Sequence, residues 1–283
     1  MQAHPPLSTC VRHPERPTGL RCTRCGRPAC PECLREASVG YQCVDCVHEG
    51  RRSTRRPVTV AGATLGRRLL VVPTLIGLNL LVYVLTVVQS GSVVSNSGAR
   101  LFTEWALWPP AVASGELWRL ATSGFLHYGP LHLAFNMYAL WVIGRDLELV
   151  LGRLRFIAVY LVSLFGGGVS VFLFGAPQEQ VAGASGAVFG LMGGIAVAAV
   201  RLRLNPGPAL GVIALNVVIS VTLPGISLLG HLGGLVVGAL ATAGMVYAPA
   251  RHRAVWQAGT VAALAVLLVA LTVLRYQQFA GAV

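Results

Sequence analysis

Polar and apolar positions divide the chain at about residue 68. Before that point the sequence is polar, broken by proline, and without a sustained apolar period. After it, apolar runs recur at 69–89, 131–150, 154–174, 184–200, 208–223, 228–248 and 254–274. A membrane-crossing helix needs about 20 apolar residues, somewhat fewer where it is buried among other helices. The pattern therefore predicts seven transmembrane helices. The connection at 90–130 is long and holds Trp105, Trp108, Pro109, Pro110 and Trp118. Aromatic residues of this kind prefer the headgroup region, so an interfacial segment is expected there.

Composition agrees. Of 283 residues, 54% are hydrophobic and 11% charged, against about 25% charged in soluble domains. Every one of the 22 basic residues is Arg, and twelve lie within residues 1–68 beside five acids. Arg67 and Arg68, then Arg145, Arg153 and Arg155, then Arg201 and Arg203, then Arg251 and Arg253 fall in loops on one side if the N-terminus is inside. That bias predicts a cytoplasmic N-terminus and an external C-terminus. No cleavable leader is expected, because the first long apolar run begins near Leu69. Membrane flanks are basic in any case, so the net charge of +12 does not call for nucleic acid.

All seven cysteines lie between residues 10 and 46, as Cys22/Cys25, Cys30/Cys33, Cys43/Cys46 and Cys10 with His13. An x₂ spacing lets both side chains of a knuckle reach one ion, and eight ligands imply two tetrahedral zinc ions. An interleaved arrangement would place Cys10, His13, Cys30 and Cys33 on one zinc and Cys22, Cys25, Cys43 and Cys46 on the other. A sequential arrangement satisfies the spacing equally, and His48 stands near enough to replace a ligand. An odd number of cysteines on the reducing side of a membrane argues against disulfides. A module this short has little core, so the metal would supply its folding energy. It resembles the B-box-like zinc fingers, which usually bind proteins. Its spacing departs from theirs, which leaves the partner class open.

Ionisable and polar residues within apolar spans are candidates for function. His132 and Asn136, four apart, share one helix face. His231 stands near the start of the 228–248 span and Ser185 near the start of the 184–200 span. Counted from the opposite helix ends at roughly 1.5 Å per residue, Ser185, His132 and His231 lie at one level, toward the outer face. Gly186, Gly190 and Gly194 form one stripe; Gly230, Gly234 and Gly238 form another. Stripe on stripe would bring the Ser185 hydroxyl to the His231 imidazole. Asn79 and Asn216 read as interhelical hydrogen bonds, and His127 as interfacial. The acids beyond residue 68 (Glu104, Glu116, Asp146, Glu148, Glu179) have no evident place beside His231, so a Ser–His dyad is expected and not a triad.

Three stretches, "GELWRLATSGFLHYGPLHLAFNMYALWVIGRDLE", "GASGAVFGLMGG" and "GHLGGLVVG", resemble the rhomboid intramembrane serine proteases, over roughly residues 69–248. The resemblance implies Ser185 as nucleophile and His231 as general base. It implies His132 and Asn136 as helpers of the Ser185 backbone N–H at the oxyanion site, and Gly183 as the first glycine of the serine loop. Trp118 and Arg119 match the family's outer-loop WR pair, and Glu148 the acid closing the second helix, all in structural roles. Two positions depart. Phe189 stands where some members carry Tyr, and it can stack on His231 without bonding to it. Gly230 stands where Ala is frequent.

The expected protein is thus an all-α polytopic membrane protein. A zinc-binding module (1–50) and a basic linker (51–68) precede a six-helix rhomboid-like core (69–248). A further transmembrane helix and tail follow (249–283). Its expected partners are the lipid bilayer, membrane-protein substrates cut in or near transmembrane segments, and a cytoplasmic protein for the zinc module. The site would open to the outer face and need no metal. A catalytically silent rhomboid-like protein that binds or retains membrane proteins is the alternative. A transporter would show charged residues or broken helices in paired halves, and no such repeat is present.

Overall fold

The computed structural model describes residues 7–54, 57–64 and 68–280. Arg55, Arg56 and Arg67 of the expected basic linker lie outside the described residues. The chain divides into two compact units, Met1–Pro57 and Val58–Val283.

The first unit is small and knuckled. Strands β1 (Thr9–Cys10) and β2 (His13–Pro17) pair antiparallel, as do β3 (Leu34–Glu36) and β4 (Tyr41–Cys43). Helix α1 (Val44–Ser53) follows. Six cysteines, Ala29 and Leu34 make up its buried cluster. Two ordinary apolar side chains cannot offset the chain entropy of some fifty residues, so the cysteine side chains carry the interior.

The second unit is helical. Helix α2 (Val71–Ser90) leads into the 90–130 connection. There the structure has short helices α3 (Arg100–Trp105), α4 (Pro109–Ala113) and α5 (Arg119–Thr122). After these come α6 (Gly129–Leu151), α7 (Arg153–Phe174), α8 (Ser185–Arg201), α9 (Gly207–Thr222), α10 (Leu228–Val246) and α11 (Arg253–Ala280). Among the described residues, α2, α7, α10 and the stretch Ala250–Phe279 are long and apolar enough to cross a membrane; α8 and α9 are shorter apolar helices. Helix α6 carries Arg145, Asp146 and Glu148 in its last turns.

Helices α7, α8 and α10 form the centre, with α10 packed most closely on α8 and α7. The glycine stripes explain that closeness. A Cβ on Gly234 would run into the Gly186 carbonyl, and one on Gly238 into the backbone of Gly190. Gly190 in turn faces the Gly234 carbonyl and Ser163 of α7. Backbones approach this nearly only where side chains are absent. Helices α2, α9 and α11 lie outside this centre and expose rows of Leu and Val, as a lipid-facing surface does.

Buried polar groups hold the ends. The Glu148 carboxylate accepts the backbone N–H groups of Leu70 and Val71 on Oε1 and of Val72 on Oε2, at 2.9–3.1 Å. These are donors that the start of α2 leaves without intrahelical partners. Gln257 of α11 donates to the carbonyls of Ala61 and Met245 and accepts from Arg155 Nε at 2.6 Å. This ties α11 to α7, α10 and the turn at 58–64.

Candidate active site

The loop before α8 is pinned on several sides. Leu107 and Val181 exchange backbone hydrogen bonds at 2.9 and 2.8 Å, and Gly183 N–H donates to the Ser123 carbonyl at 2.9 Å. Tyr128 Oη donates to the Gln180 carbonyl and Trp108 Nε1 to the Pro177 carbonyl. The 90–130 connection is itself clamped by Arg119, which is buried. Its guanidinium pairs with Glu116 at 2.6 Å and donates to the carbonyls of Thr103 and Ala106. Trp118 remains half exposed and donates to the Glu104 carbonyl at 3.3 Å. Arg119 thus joins carbonyls and a carboxylate within the connection.

Gly183 has φ +137°, a conformation L side chains rarely adopt. A Cβ there would also stand 2.8 Å from His132 Cε1 and 2.9 Å from Nε2. Glycine is required twice over, by dihedral and by space. Ser185 then opens α8, so its N–H and those of the next two residues have no intrahelical acceptor.

His231 sits in the first turn of α10, whose N-cap Ser227 accepts from Gly230 N–H at 3.3 Å. The imidazole is buried. Its Nε2 lies 2.8 Å from Ser185 Oγ. Phe189, one turn along α8 from Ser185, stacks on the ring with centroids 4.0 Å apart. Among the described residues no carboxylate hydrogen-bonds His231; its Nδ1 lies 2.7 Å from Ser220 Oγ on α9.

His132 Nδ1 accepts from Tyr128 N–H at 3.3 Å. A neutral ring with that nitrogen accepting carries its hydrogen on Nε2, on the side of Gly183. Asn136, one turn further along α6, is buried and donates through Nδ2 to the His132 carbonyl at 3.0 Å. The second N–H of that amide is left over.

Three residues of the site were not singled out from the sequence. His127 reads there as interfacial, yet it is fully buried. Its Nε2 accepts from Ala184 N–H at 3.4 Å, and its ring meets His132 edge-on. Asn96 donates to the His127 carbonyl and accepts from Gly129 N–H, which fixes the entry of α6. It lies in a Ser/Asn/Gly loop that offers no periodic signal. Ser220 is a short hydroxyl residue on an apolar helix, which usually means local packing.

In the first unit, Cys10, His13, Cys30 and Cys33 form one cluster and Cys22, Cys25, Cys43 and Cys46 another, with ligand atoms within 4.8 Å of one another. The side chains group as in the interleaved arrangement. His48 is exposed and belongs to neither cluster, so it does not replace a ligand. His13 Nδ1 lies 3.3 Å from Cys30 Sγ and 3.4 Å from Cys33 Sγ. Cys25 and Cys43 sulfurs are 3.8 Å apart, far beyond the ~2.05 Å of a disulfide. A tetrahedron with ~2.3 Å metal–sulfur bonds has edges of roughly 3.8 Å, so both clusters fit a metal ion. The thiols are also unequal. Backbone N–H groups, Cys30's first, bring Cys10 down to about 6. Burial and neighbouring thiols push Cys33 up to about 11 and Cys46 to about 12. Thiolates this close repel one another, and a cation held between them would let them ionise together.

Apolar helices enclosing a hydrogen-bonded Ser–His pair at a helix N-terminus define a membrane protein with a site suited to acyl chemistry. Residues 114–248, just under half of the chain, match the family model of the rhomboid domain. Rhomboid protease GluP of Bacillus subtilis (strain 168) is 37% identical over 139 residues, 47% of this chain and 27% of the relative. RHOMBOID-like protein 4 of Arabidopsis thaliana is 36% identical over 135 residues, 46% of this chain and 34% of the relative. RHOMBOID-like protein 6, mitochondrial, from the same plant is 36% identical over 138 residues, 46% of this chain and 44% of the relative. The chain spans less than half the length of each of these relatives. The likenesses support the rhomboid family, and with the apolar helices they support an integral membrane protein.

Proposed function

We propose that this chain is an intramembrane serine endopeptidase of the rhomboid type, cutting membrane-protein substrates in or near their transmembrane segments. The observation that carries the reading is the 2.8 Å approach of Ser185 Oγ to His231 Nε2 at the start of α8. Ser185 gives its proton to Nε2 as Oγ attacks the scissile carbonyl carbon. The oxyanion gathers hydrogen bonds from the Ser185 N–H and from His132 Nε2–H, with Asn136 in support. The imidazolium protonates the leaving amine. His231 then takes a proton from water, the hydroxide attacks the acyl-enzyme, and Oγ leaves with the proton returned. The core comprises six membrane helices, 69–248, followed by the additional α11. The N-terminus is cytoplasmic, the C-terminus external, and the site opens to the outer face.

The first unit is a B-box-like module holding two structural zinc ions that stabilise its fold, and it engages a cytoplasmic protein. Co-expression of a single-span model substrate with wild type, Ser185→Ala and His231→Ala tests the catalytic reading. A fragment made by wild type alone supports it. Equal fragments from wild type and Ser185→Ala at equal protein levels would falsify it. Stable substrate capture without any fragment would favour a silent binding protein instead.

A further inference from the structure

His231 is held from both sides. Nε2 faces Ser185 Oγ at 2.8 Å, and Nδ1 faces Ser220 Oγ at 2.7 Å. Ser220 is the one buried residue of α9. Its hydroxyl also lies 2.7 Å from the carbonyl of Asn216, one turn back. A carbonyl oxygen only accepts, so the Ser220 hydrogen goes to it. What Ser220 offers the imidazole is then a lone pair, and Nδ1 must donate. A neutral imidazole has a single ring hydrogen. With that hydrogen on Nδ1, Nε2 is bare and accepts from Ser185.

We infer that Ser220 is the positioning residue of the Ser185–His231 pair. Through Nδ1 it selects the tautomer in which His231 can act as a base, and it fixes the plane of the ring. The inference rests on the protease reading above. The hydroxyl takes the place that a carboxylate holds in Ser–His–Asp sites. The environment explains the choice, since a buried carboxylate among apolar helices is costly to keep ionised. When Ser185 attacks, His231 becomes an imidazolium and its bond to Ser220 becomes charge-assisted, stronger than in the ground state. Ser220 thus favours the transition state without touching substrate. It also makes α9 the helix whose position the catalytic base registers, because α9 otherwise packs on its neighbours only lightly.

The test uses the full chain in detergent. It compares wild type, Ser220→Ala, Ser220→Thr and Ser185→Ala by the rate of fluorophosphonate labelling and by kcat and KM on a single-span substrate. Ser220→Ala should lower the labelling rate and kcat together by about tenfold to a hundredfold, with KM unchanged and the protein still folded. Ser220→Thr keeps the hydroxyl and should stay within about threefold of wild type. Wild-type labelling and kcat in Ser220→Ala would overturn the inference, as would equal losses in the Ala and Thr variants. A wild type that is neither labelled nor active overturns the protease reading and this inference with it. An active wild type with an equally active Ser220→Ala overturns this inference alone. Should Ser220→Ala not fold, ¹⁵N-histidine NMR of the wild type decides: the His231 hydrogen belongs on Nδ1, and finding it on Nε2 refutes the assignment.

Discussion

The ring of Phe189 lies flat against the imidazole of His231, with the two planes inclined by 12°. It covers one face of the imidazole and restricts rotation about the His231 side-chain torsions. Stacked aromatic pairs contribute about 0.5–1.5 kcal/mol beyond burial. Phe189→Ala should therefore lower kcat about threefold to tenfold while the protein remains folded, measured on a single-span substrate. An unchanged kcat would show that α8, α9 and α10 hold the imidazole without it.

The contact between Gly234 and the Gly186 carbonyl leaves no room for a methyl group. Gly234→Ala should force α8 and α10 apart and destabilise the protein by about 1–3 kcal/mol, with loss of activity because Ser185 and His231 ride on those two helices. Gly211→Ala is the control, since nothing lies within 4 Å of a Cβ at that position. Thermal melts in detergent should separate the two variants. Equal melting temperatures would refute the close-packing account.

Glu148 joins α6 to the start of α2 through three backbone donors, and it is buried. Gln at this position keeps the shape but replaces one accepting oxygen by an NH₂ group that confronts a backbone N–H. We expect Glu148→Gln to lower stability by about 2 kcal/mol, seen as a lower melting temperature. Catalysis in the surviving folded fraction should be near normal, because the carboxylate does not contact Ser185 or His231. A wild-type melting curve would mean that α2 is held in place by packing alone.

The cysteine clusters give a prediction that separates pairing schemes. Metal analysis of the purified chain should find about two zinc ions. In the double variant Cys10→Ser with Cys30→Ser, both substitutions fall in one cluster, and about one ion should remain. Cys10→Ser with Cys22→Ser strikes both clusters and should leave none. A sequential pairing reverses these two outcomes.

Much was legible in the sequence because it depends on local period and spacing. The apolar runs at 131–150 and 154–174 correspond to α6 and α7, offset by a residue or two at the ends. The x₂ knuckles marked eight residues, all of which fall in the two clusters. Pairing was not legible. An x₂ spacing makes a knuckle locally, but which knuckles share an ion depends on how β1–β2 and β3–β4 bring distant parts of the chain together. His127 shows the same limit. At the entry of α6 it looks like an interfacial histidine, and only the fold of 90–128 over it, with Asn96 on its carbonyl, makes it an interior residue beside the serine loop.

Hydrophobicity and residue spacing are properties of short stretches, and they marked the long apolar helices, the glycine stripes, the knuckles and the polar residues Ser185 and His231 within those helices. Tertiary structure decided what occupies the far side of His231. No carboxylate in the sequence had a place there, and a single serine on another helix carried no signal of its own. A hydrogen bond between residues on different helices depends on how those helices pack, and a difference of one helical turn in α9 would carry Ser220 away from the ring.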